Sequence, residues 1–365
     1  QVRREGVDGE RCLGSAQWRQ MRVDSRGIAI PASLTSQPPD RLPVDACDLA
    51  SHVLWKFEDR PDIIVAIPQL AKLVKDAADE DGSSSAAKSL LALTSIAHNE
   101  RLRDRIVALP SFLQLVVART LAARAPALAT AYLGLLHRLT FRCTDGCLEG
   151  PDAERLLRWT VGRLCAARSV GDAAADVALF LGVLANLTRA SFQARVFVKA
   201  QPSARELYKA LASWLAGPNV LCAVFALQVL AVLVLDEPLG RTLFGEANVR
   251  RVFDLAFSLV READRSEHAH HALRAAADLS GDLFSSLRVL QLVEAAGGMP
   301  AAELAHLAGA IATRQHSYDA VLPLLELADA LARSPRVRSQ LLGLLCPTGP
   351  DHDGVLGALL ALAAC

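Results

Sequence analysis

The densest group of potential metal ligands in this sequence is a short histidine cluster. His268 and His271 are three residues apart and Asp264 precedes them by about one turn, so a helix would place all three on one face. Imidazole and carboxylate groups bind zinc, but a site requires at least three of them to converge. The surrounding charged residues are typical of a solvated segment between helices. We therefore expect neither a metal site nor a bound cofactor in this chain.

Two cysteines, Cys143 and Cys147, flank a polar turn. Their spacing differs from that of C-x-x-C redox motifs, and no second cysteine pair follows to complete a zinc ribbon. Other cysteines, such as Cys165 and Cys222, lie in apolar stretches where a thiol behaves as a small hydrophobic side chain. We interpret these residues as free thiols in a reducing compartment, which predicts a cytoplasmic location and leaves access to the nucleus open.

Sequence motifs of catalysis and nucleotide binding are missing from the chain. It contains no G-x-S-x-G, H-E-x-x-H, G-x-G-x-x-G or G-x-x-x-x-G-K-[ST] motif. The strand and helix units that normally carry nucleotide-binding loops are not predicted either. The sequence therefore predicts a protein that is not an enzyme.

A short apolar block recurs six times, with two leucine-like residues six positions apart in each copy. The blocks begin 43 to 52 residues apart, close to the roughly 40–47 residues of armadillo and HEAT repeats. Such repeats consist of two or three helices that bury their apolar faces against the adjacent repeat. The pattern predicts an all-α fold, an armadillo/HEAT-like α-solenoid of about six to seven repeats in a right-handed superhelix. The paired residues are Leu90/Ile96, Leu133/Leu139, Leu181/Leu187, Leu227/Leu233, Leu273/Leu279 and Leu325/Leu331.

Composition supports the helical interpretation and narrows the classes of partner. Of the 365 residues, 52% are hydrophobic but only 5% are aromatic, as expected when helices pack through Leu, Ala and Val. Lys and Arg number 39, as do Asp and Glu, so the chain lacks the net positive charge that dominates nucleic-acid binding. The longest apolar run, Val220–Leu235, is shorter than the roughly 20 residues of a membrane span. We expect no nucleic acid and no membrane among its partners.

The chain divides into two segments that differ in composition and in helical periodicity. Residues 1–42 are rich in Arg, Gly, Ser and Gln without a sustained period, which predicts disorder. Residues 43–365 carry the helical periodicity and are predicted to form one armadillo-like repeat domain. Within it an arginine recurs thirteen to fifteen positions after the first leucine of a block, where its guanidinium could bind free carbonyls of the adjoining turn. These arginines are Arg105, Arg195, Arg241 and Arg338.

The central part of the array resembles a known family. Residues 181–198 (LGVLANLTRASFQARVFV) and 208–260 are similar, in the order of their motifs, to the N-terminal armadillo-like domain of the cancerous inhibitor of protein phosphatase 2A. Upstream, LLHRLTFR (135–142) and LLALTSIAHNERLRD (90–104) lie at the spacing that this domain implies. The high content of Ala and Arg indicates a divergent homologue or a paralogue.

The resemblance implies a function. Family members are non-catalytic scaffolds that bind regulatory B-type subunits of protein phosphatase 2A and restrain dephosphorylation of their clients. Members also dimerise through a C-terminal extension of the array, and this sequence, which ends at Cys365, does not contain one. On that basis we expect a monomer that modulates the phosphatase.

Armadillo arrays hold partners in a groove lined by the last helix of each repeat, so polar residues on that helix are the candidate contacts. An ordinary solvated helix residue is the alternative interpretation of each one. The candidates are His137, Arg138, Asn186, Arg189, Gln228, Asp236 and Asp278.

Two other functions use the same fold. Importin-type binding requires regularly spaced tryptophan and asparagine pairs, whereas Trp159 and Trp214 lack such partners. A structural or regulatory subunit of a pump, transport or cytoskeletal complex would use different faces of the solenoid and stays open at the level of sequence.

Overall fold

The computed structural model describes residues 21–23, 29–31, 61–76, 84–97, 100–123, 126–143, 148, 150–167, 174–215, 219–262, 267–314 and 318–345. Two short strands, β1 (Met21–Val23) and β2 (Ala29–Pro31), pair antiparallel. They lie in the segment predicted to be disordered, and the rest of residues 1–42 falls outside the described ranges.

All other regular elements in these ranges are helices, and the chain separates into two compact units, residues 1–156 and 157–365. The first five helices are α1 (Pro61–Asp76), α2 (Ser84–Ile96), α3 (Glu100–Val107), α4 (Phe112–Ala122) and α5 (Pro126–Thr140). The unit boundary lies within α6 (Gly150–Ala166). The later helices are α7 (Ala174–Ala190), α8 (Phe192–Ala200), α9 (Ala204–Leu215), α10 (Val220–Val234), α11 (Pro238–Leu243), α12 (Glu246–Glu262), α13 (Glu267–Leu283), α14 (Leu287–Ala295), α15 (Ala301–Arg314), α16 (Tyr318–Leu331) and α17 (Pro335–Leu345).

Every third helix of the second unit packs against the next one, in the order α7, α10, α13, α16. Between successive members lie a short first helix and a longer second helix, which is the three-helix plan of an armadillo repeat. In the first unit, α2 and α5 pack together in the same way, with α3 and α4 between them in sequence. The prediction of an all-α armadillo-like solenoid is therefore confirmed; the handedness of the superhelix stays a prediction.

The six apolar blocks all fall on these third helices. The second residue of each block, from Ile96 to Leu331, is buried. Leu184, Leu187 and Leu230, which are central block residues, are also buried. In the second unit α10 packs on the third helices of both adjacent repeats, α7 and α13, so it must be apolar over most of its surface. This demand is what makes the repeat visible in sequence.

A tight turn separates α10 from α11. The helix begins at an Asn219 N-cap, whose Oδ1 accepts a hydrogen bond from the Cys222 amide at 3.0 Å, and it ends before Pro238, the first residue of α11. A Cβ at position 240 would overlap the carbonyl oxygen of Val234, so only Gly240 fits this close approach.

The recurring arginine that binds free carbonyls is not one of the four predicted. The guanidinium of Arg288 donates to the carbonyl oxygens of Phe244 at 2.9 Å and Leu235 at 3.4 Å, which are the C-cap residues of α11 and α10, and to that of Gly240 within α11 at 3.2 Å. Arg105, Arg241 and Arg338 are exposed, and the guanidinium of Arg195 lies over the Phe192 ring instead. Arg288 follows Leu273 by fifteen positions, so it obeys the same spacing rule.

Among the described residues, no single helix combines the length and hydropathy required to span a membrane. The consecutive helices α3 and α4 reach that threshold only when counted together, and they are bent by 79° relative to each other.

Candidate functional site

A charged cluster joins three third helices of the second unit. Arg189 Nη1 lies 3.0 Å from Asp278 Oδ2, and Arg189 Nε lies 3.1 Å from Asp282 Oδ1. The same guanidinium also donates from Nη2 to the Asp278 carbonyl at 3.4 Å. Gln228 of α10 is buried between the two helices and its amide approaches Asp282. One cation thus faces two carboxylates across an intervening helix.

Helical spacing explains why these side chains meet. Asp278 and Asp282 are four residues apart and share one face of α13 near its C-terminal end. Arg189 lies in the last turn of α7, where a cation also interacts favourably with the negative end of the helix dipole. Because α7, α10 and α13 are stacked, the long arginine side chain can reach past α10 to both carboxylates.

The environment changes the acidity of Asp282. Burial raises its pKa to about 6, since the charged form loses hydration. The Arg189 guanidinium opposes this rise, the charge of Asp278 adds to it, and the Gln228 amide favours the ionised form. Asp282 Oδ2 is buried and makes no hydrogen bond of ordinary geometry within the described structure. The second carboxylate is therefore incompletely compensated.

The structure thus brings together three of the seven predicted residues: Arg189, Gln228 and Asp278. The fourth member of the cluster, Asp282, was missed, although its position one turn after Asp278 is a readable signal. Asn186 is buried on α7, one turn before Arg189.

Asp236 lies elsewhere, in the turn after α10. It is exposed and accepts a hydrogen bond from Ser286 Oγ at 3.1 Å. This contact links the turn to the residue just before α14, so Asp236 both retains surface for a partner and connects two repeats.

The remaining two candidates, His137 and Arg138, belong to α5 of the first unit. His137 is buried, and burial, with a smaller effect of the adjacent Arg138 charge, lowers its pKa to about 3. The imidazole is therefore neutral at physiological pH. Arg138 is half-buried. Four of the seven candidates, including His137, are buried and present little surface to a partner, whereas Arg138, Arg189 and Asp236 retain some.

The cluster offers buried charge but no pair of nucleophile and base. No set of three or more His, Cys, Asp or Glu side chains within the described part of the chain is arranged to hold a metal ion. The side chains of His268 and His271 lie outside the described residues, as does Asp264.

The sequence of this chain matches a known protein family. Residues 62–341 match the family model described as "CIP2A, N-terminal". The chain belongs to the CIP2A N-terminal family. The match includes every helix from α2 to α16, and it confirms the relationship inferred from residues 90–260. Among solved structures, an engineered protein is similar with 14% sequence identity and a TM-score of 0.40, over 86% of this chain and 70% of the other. Membership of this family implies that the chain takes part in protein–protein interactions.

Proposed function

We propose that this chain is a non-catalytic scaffold that modulates protein phosphatase 2A by binding one of its regulatory B-type subunits. The observation that carries the proposal is the match to the CIP2A N-terminal family over residues 62–341. A cytoplasmic site of action, consistent with the free thiols Cys143, Cys165 and Cys222, is part of the same proposal.

The stacked third helices supply the binding surface in this proposal. Partner contacts come from Arg138 and Asp236, two candidates that keep exposed surface, each on or just after a third helix. The buried candidates Gln228 and Asp278 act indirectly, because they hold the helices in register. A surface whose helices are cross-linked in advance loses less entropy on binding, which favours affinity.

The direct test is calorimetric titration of the purified chain with a purified B-type subunit. The double variant Arg138→Glu with Asp236→Arg alters one residue on α5 and one in the turn after α10, and it leaves the net charge of the chain unchanged. A matched control, Arg105→Glu with Asp254→Arg, makes the same charge changes at exposed positions of α3 and α12. We expect the first variant to bind at least about tenfold more weakly than the control. Melting temperatures of both variants should stay near that of the parent.

A forced dimer makes the test sensitive to weak binding. Fusing a dimeric coiled coil to the chain should raise apparent affinity for an immobilised B-type subunit, because linked sites gain roughly 10²–10⁴-fold in avidity. If the forced dimer shows no detectable binding, the phosphatase proposal is wrong. Co-purification with pump or filament subunits would then favour the alternative of a structural assembly subunit.

A further inference from the structure

The short helix α8 exposes large apolar side chains. Phe192 is 67% exposed and Val196 is 49% exposed. The two residues are four positions apart, so they share one face of the helix. Folding normally buries such side chains, and adjacent exposed ones are more informative than scattered single residues.

Two arginines lie at or near α8 without a carboxylate partner among the described residues. The guanidinium carbon of Arg195 lies 5.6 Å from the centroid of the Phe192 ring, and that of Arg158, from α6, lies 5.6 Å from the Phe197 ring. Within the described structure neither arginine has a carboxylate at ion-pair distance. Lys199, one turn beyond Arg195, is paired with Glu237 and adds no free charge. We call Phe192, Val196, Arg195 and Arg158 together the α8 surface.

Helix α14, which like α8 is the short first helix of its repeat, provides a contrast within the same unit. Leu287 at its start is 70% exposed, so an apolar side chain is equally available there. Its neighbour Arg288, however, is hydrogen-bonded to three backbone carbonyls and cannot also serve a partner. At α8, by contrast, two exposed apolar groups on one face lie beside the Arg195 guanidinium, which has no acidic partner among the described residues.

We propose that the α8 surface binds an amphipathic segment of a partner protein in which acidic side chains flank apolar ones. Phe192 and Val196 would be buried against the apolar residues, while Arg195 and Arg158 would each bind a carboxylate. Desolvated arginine and aromatic side chains are the groups that contribute most to protein interfaces, and the ring contacts hold the guanidinium groups in place. The surface lies on a first helix, so this site is additional to the third-helix surface proposed above.

The chemistry favours a protein segment over a nucleic acid or a lipid surface. Phosphate backbones and anionic membranes are bound by runs of basic residues, whereas this surface combines an apolar centre with two cations that have no carboxylate partner in the described part of the chain. The zero net charge of the chain supplies no long-range attraction to either polyanion.

An unbiased selection tests the chemistry of the partner. A phage library of random helical peptides is selected on the full chain and counter-selected on the Phe192→Ser, Val196→Ser variant. We expect the surviving peptides to be acidic, with Asp or Glu next to apolar positions at helical spacing. A surviving pool that is neutral or basic, or no pool that depends on Phe192 and Val196, would overturn the proposal.

Fluorescence anisotropy with one selected peptide then separates the two kinds of contact. The Phe192→Ser, Val196→Ser variant should weaken binding at least about tenfold, whereas Leu287→Ser, an equally exposed control, should change it less than about twofold. Arg158→Glu with Arg195→Glu should weaken binding of the acidic peptide by a similar factor. The same variant should bind more tightly to a copy of the peptide with lysine in place of its acidic residues. An unchanged melting temperature verifies that these exposed substitutions leave the fold intact.

Two further probes address the competing classes. A short single-stranded DNA and vesicles containing phosphatidylserine should bind more weakly than the peptide and independently of Phe192. Tighter, Phe192-dependent binding of either probe would overturn the assignment to a protein segment. Because the B-type subunit titration uses residues of the third helices, failure of this inference and failure of the proposed function give different results.

Discussion

Arg189 Nη1 and Asp278 Oδ2 are 3.0 Å apart, although the two residues are separated by 89 positions in the chain. The contact passes over α10. A second ion pair joins Arg189 Nε to Asp282 Oδ1 at 3.1 Å. It therefore connects α7 and α13, which belong to two repeats that are separated in the stack by α10.

Replacing Arg189 should destabilise the second unit. Arg189→Met leaves the buried Asp278 and the largely buried Asp282 without their cation, and we expect a loss of about 3 kcal/mol in the free energy of unfolding. Arg195→Met, which removes a half-buried guanidinium that has no carboxylate partner in the described structure, should lose less than about 1 kcal/mol. Urea denaturation measures both variants. Equal losses would show that the ion pairs contribute nothing specific.

Asp282 should make stability depend on pH. Its folded pKa is raised to about 6, so the folded chain binds more protons than the unfolded chain between about pH 4 and pH 6. Stability from this group is complete below pH 4 and is lost as the pH rises through 6, by at most about 1.4 kcal/mol per pH unit. Asp282→Asn should remove this slope, whereas the exposed Asp254→Asn should keep it. Parallel unfolding curves for parent and Asp282→Asn across this range would contradict the expectation.

His137 should produce the opposite slope. Its folded pKa is lowered to about 3, so below pH 6.5 the unfolded chain takes up a proton that the folded chain excludes. Stability from this group is present above pH 6.5 and is lost as the pH falls, again by at most about 1.4 kcal/mol per pH unit. His137→Gln should flatten the decline between pH 6.5 and pH 4. The exposed His306→Gln is the control, and thermal unfolding at several pH values is the measurement.

Arg288 should stabilise the junction between two repeats. Arg288→Ala leaves the carbonyl groups of Leu235, Gly240 and Phe244 without this donor, and we expect a loss of about 1–3 kcal/mol. Arg288→Lys should recover little, because an ammonium group cannot reproduce the planar fork of donors. Arg241→Ala, at an exposed arginine of α11, should have almost no effect in the same denaturation assay.

The block leucines should be core residues. Leu184→Ala, Leu187→Ala and Leu230→Ala should each destabilise the chain by about 2–5 kcal/mol, through lost burial and a cavity. Leu287→Ala, at a 70% exposed leucine, should be close to neutral. Hydrogen exchange should also increase in the adjacent repeats, and exchange that changes only in the mutated helix would argue against a shared core.

The repeat plan was readable from sequence because the third helices carry a strong one-dimensional signal. Within each unit their packing on an adjacent third helix requires apolar residues at fixed spacing, and all six blocks fall on third helices. The burial of Leu184, Leu187 and Leu230 follows from the same rule.

Only part of the charged cluster formed by Arg189, Gln228, Asp278 and Asp282 could be predicted from the sequence. Arg189, Gln228 and Asp278 were singled out as polar residues on third helices, but sequence spacing does not reveal that a side chain of α7 reaches α13. Their partial or complete burial was also missed, because a polar residue in an apolar helix suggests a solvated face unless its partner is known. Arg288 obeys the arginine spacing and was overlooked among arginines that are exposed.

The bridge over α10 has a consequence for how this solenoid unfolds. A repeat array is usually treated as a linear chain in which each unit is coupled only to the units beside it, so fraying can proceed from an end one repeat at a time. The Arg189 bridge adds a coupling between second neighbours, and α7, α10 and α13 therefore open together or not at all. Residues 174–283 should behave as a single cooperative block inside an otherwise gradual unfolding sequence.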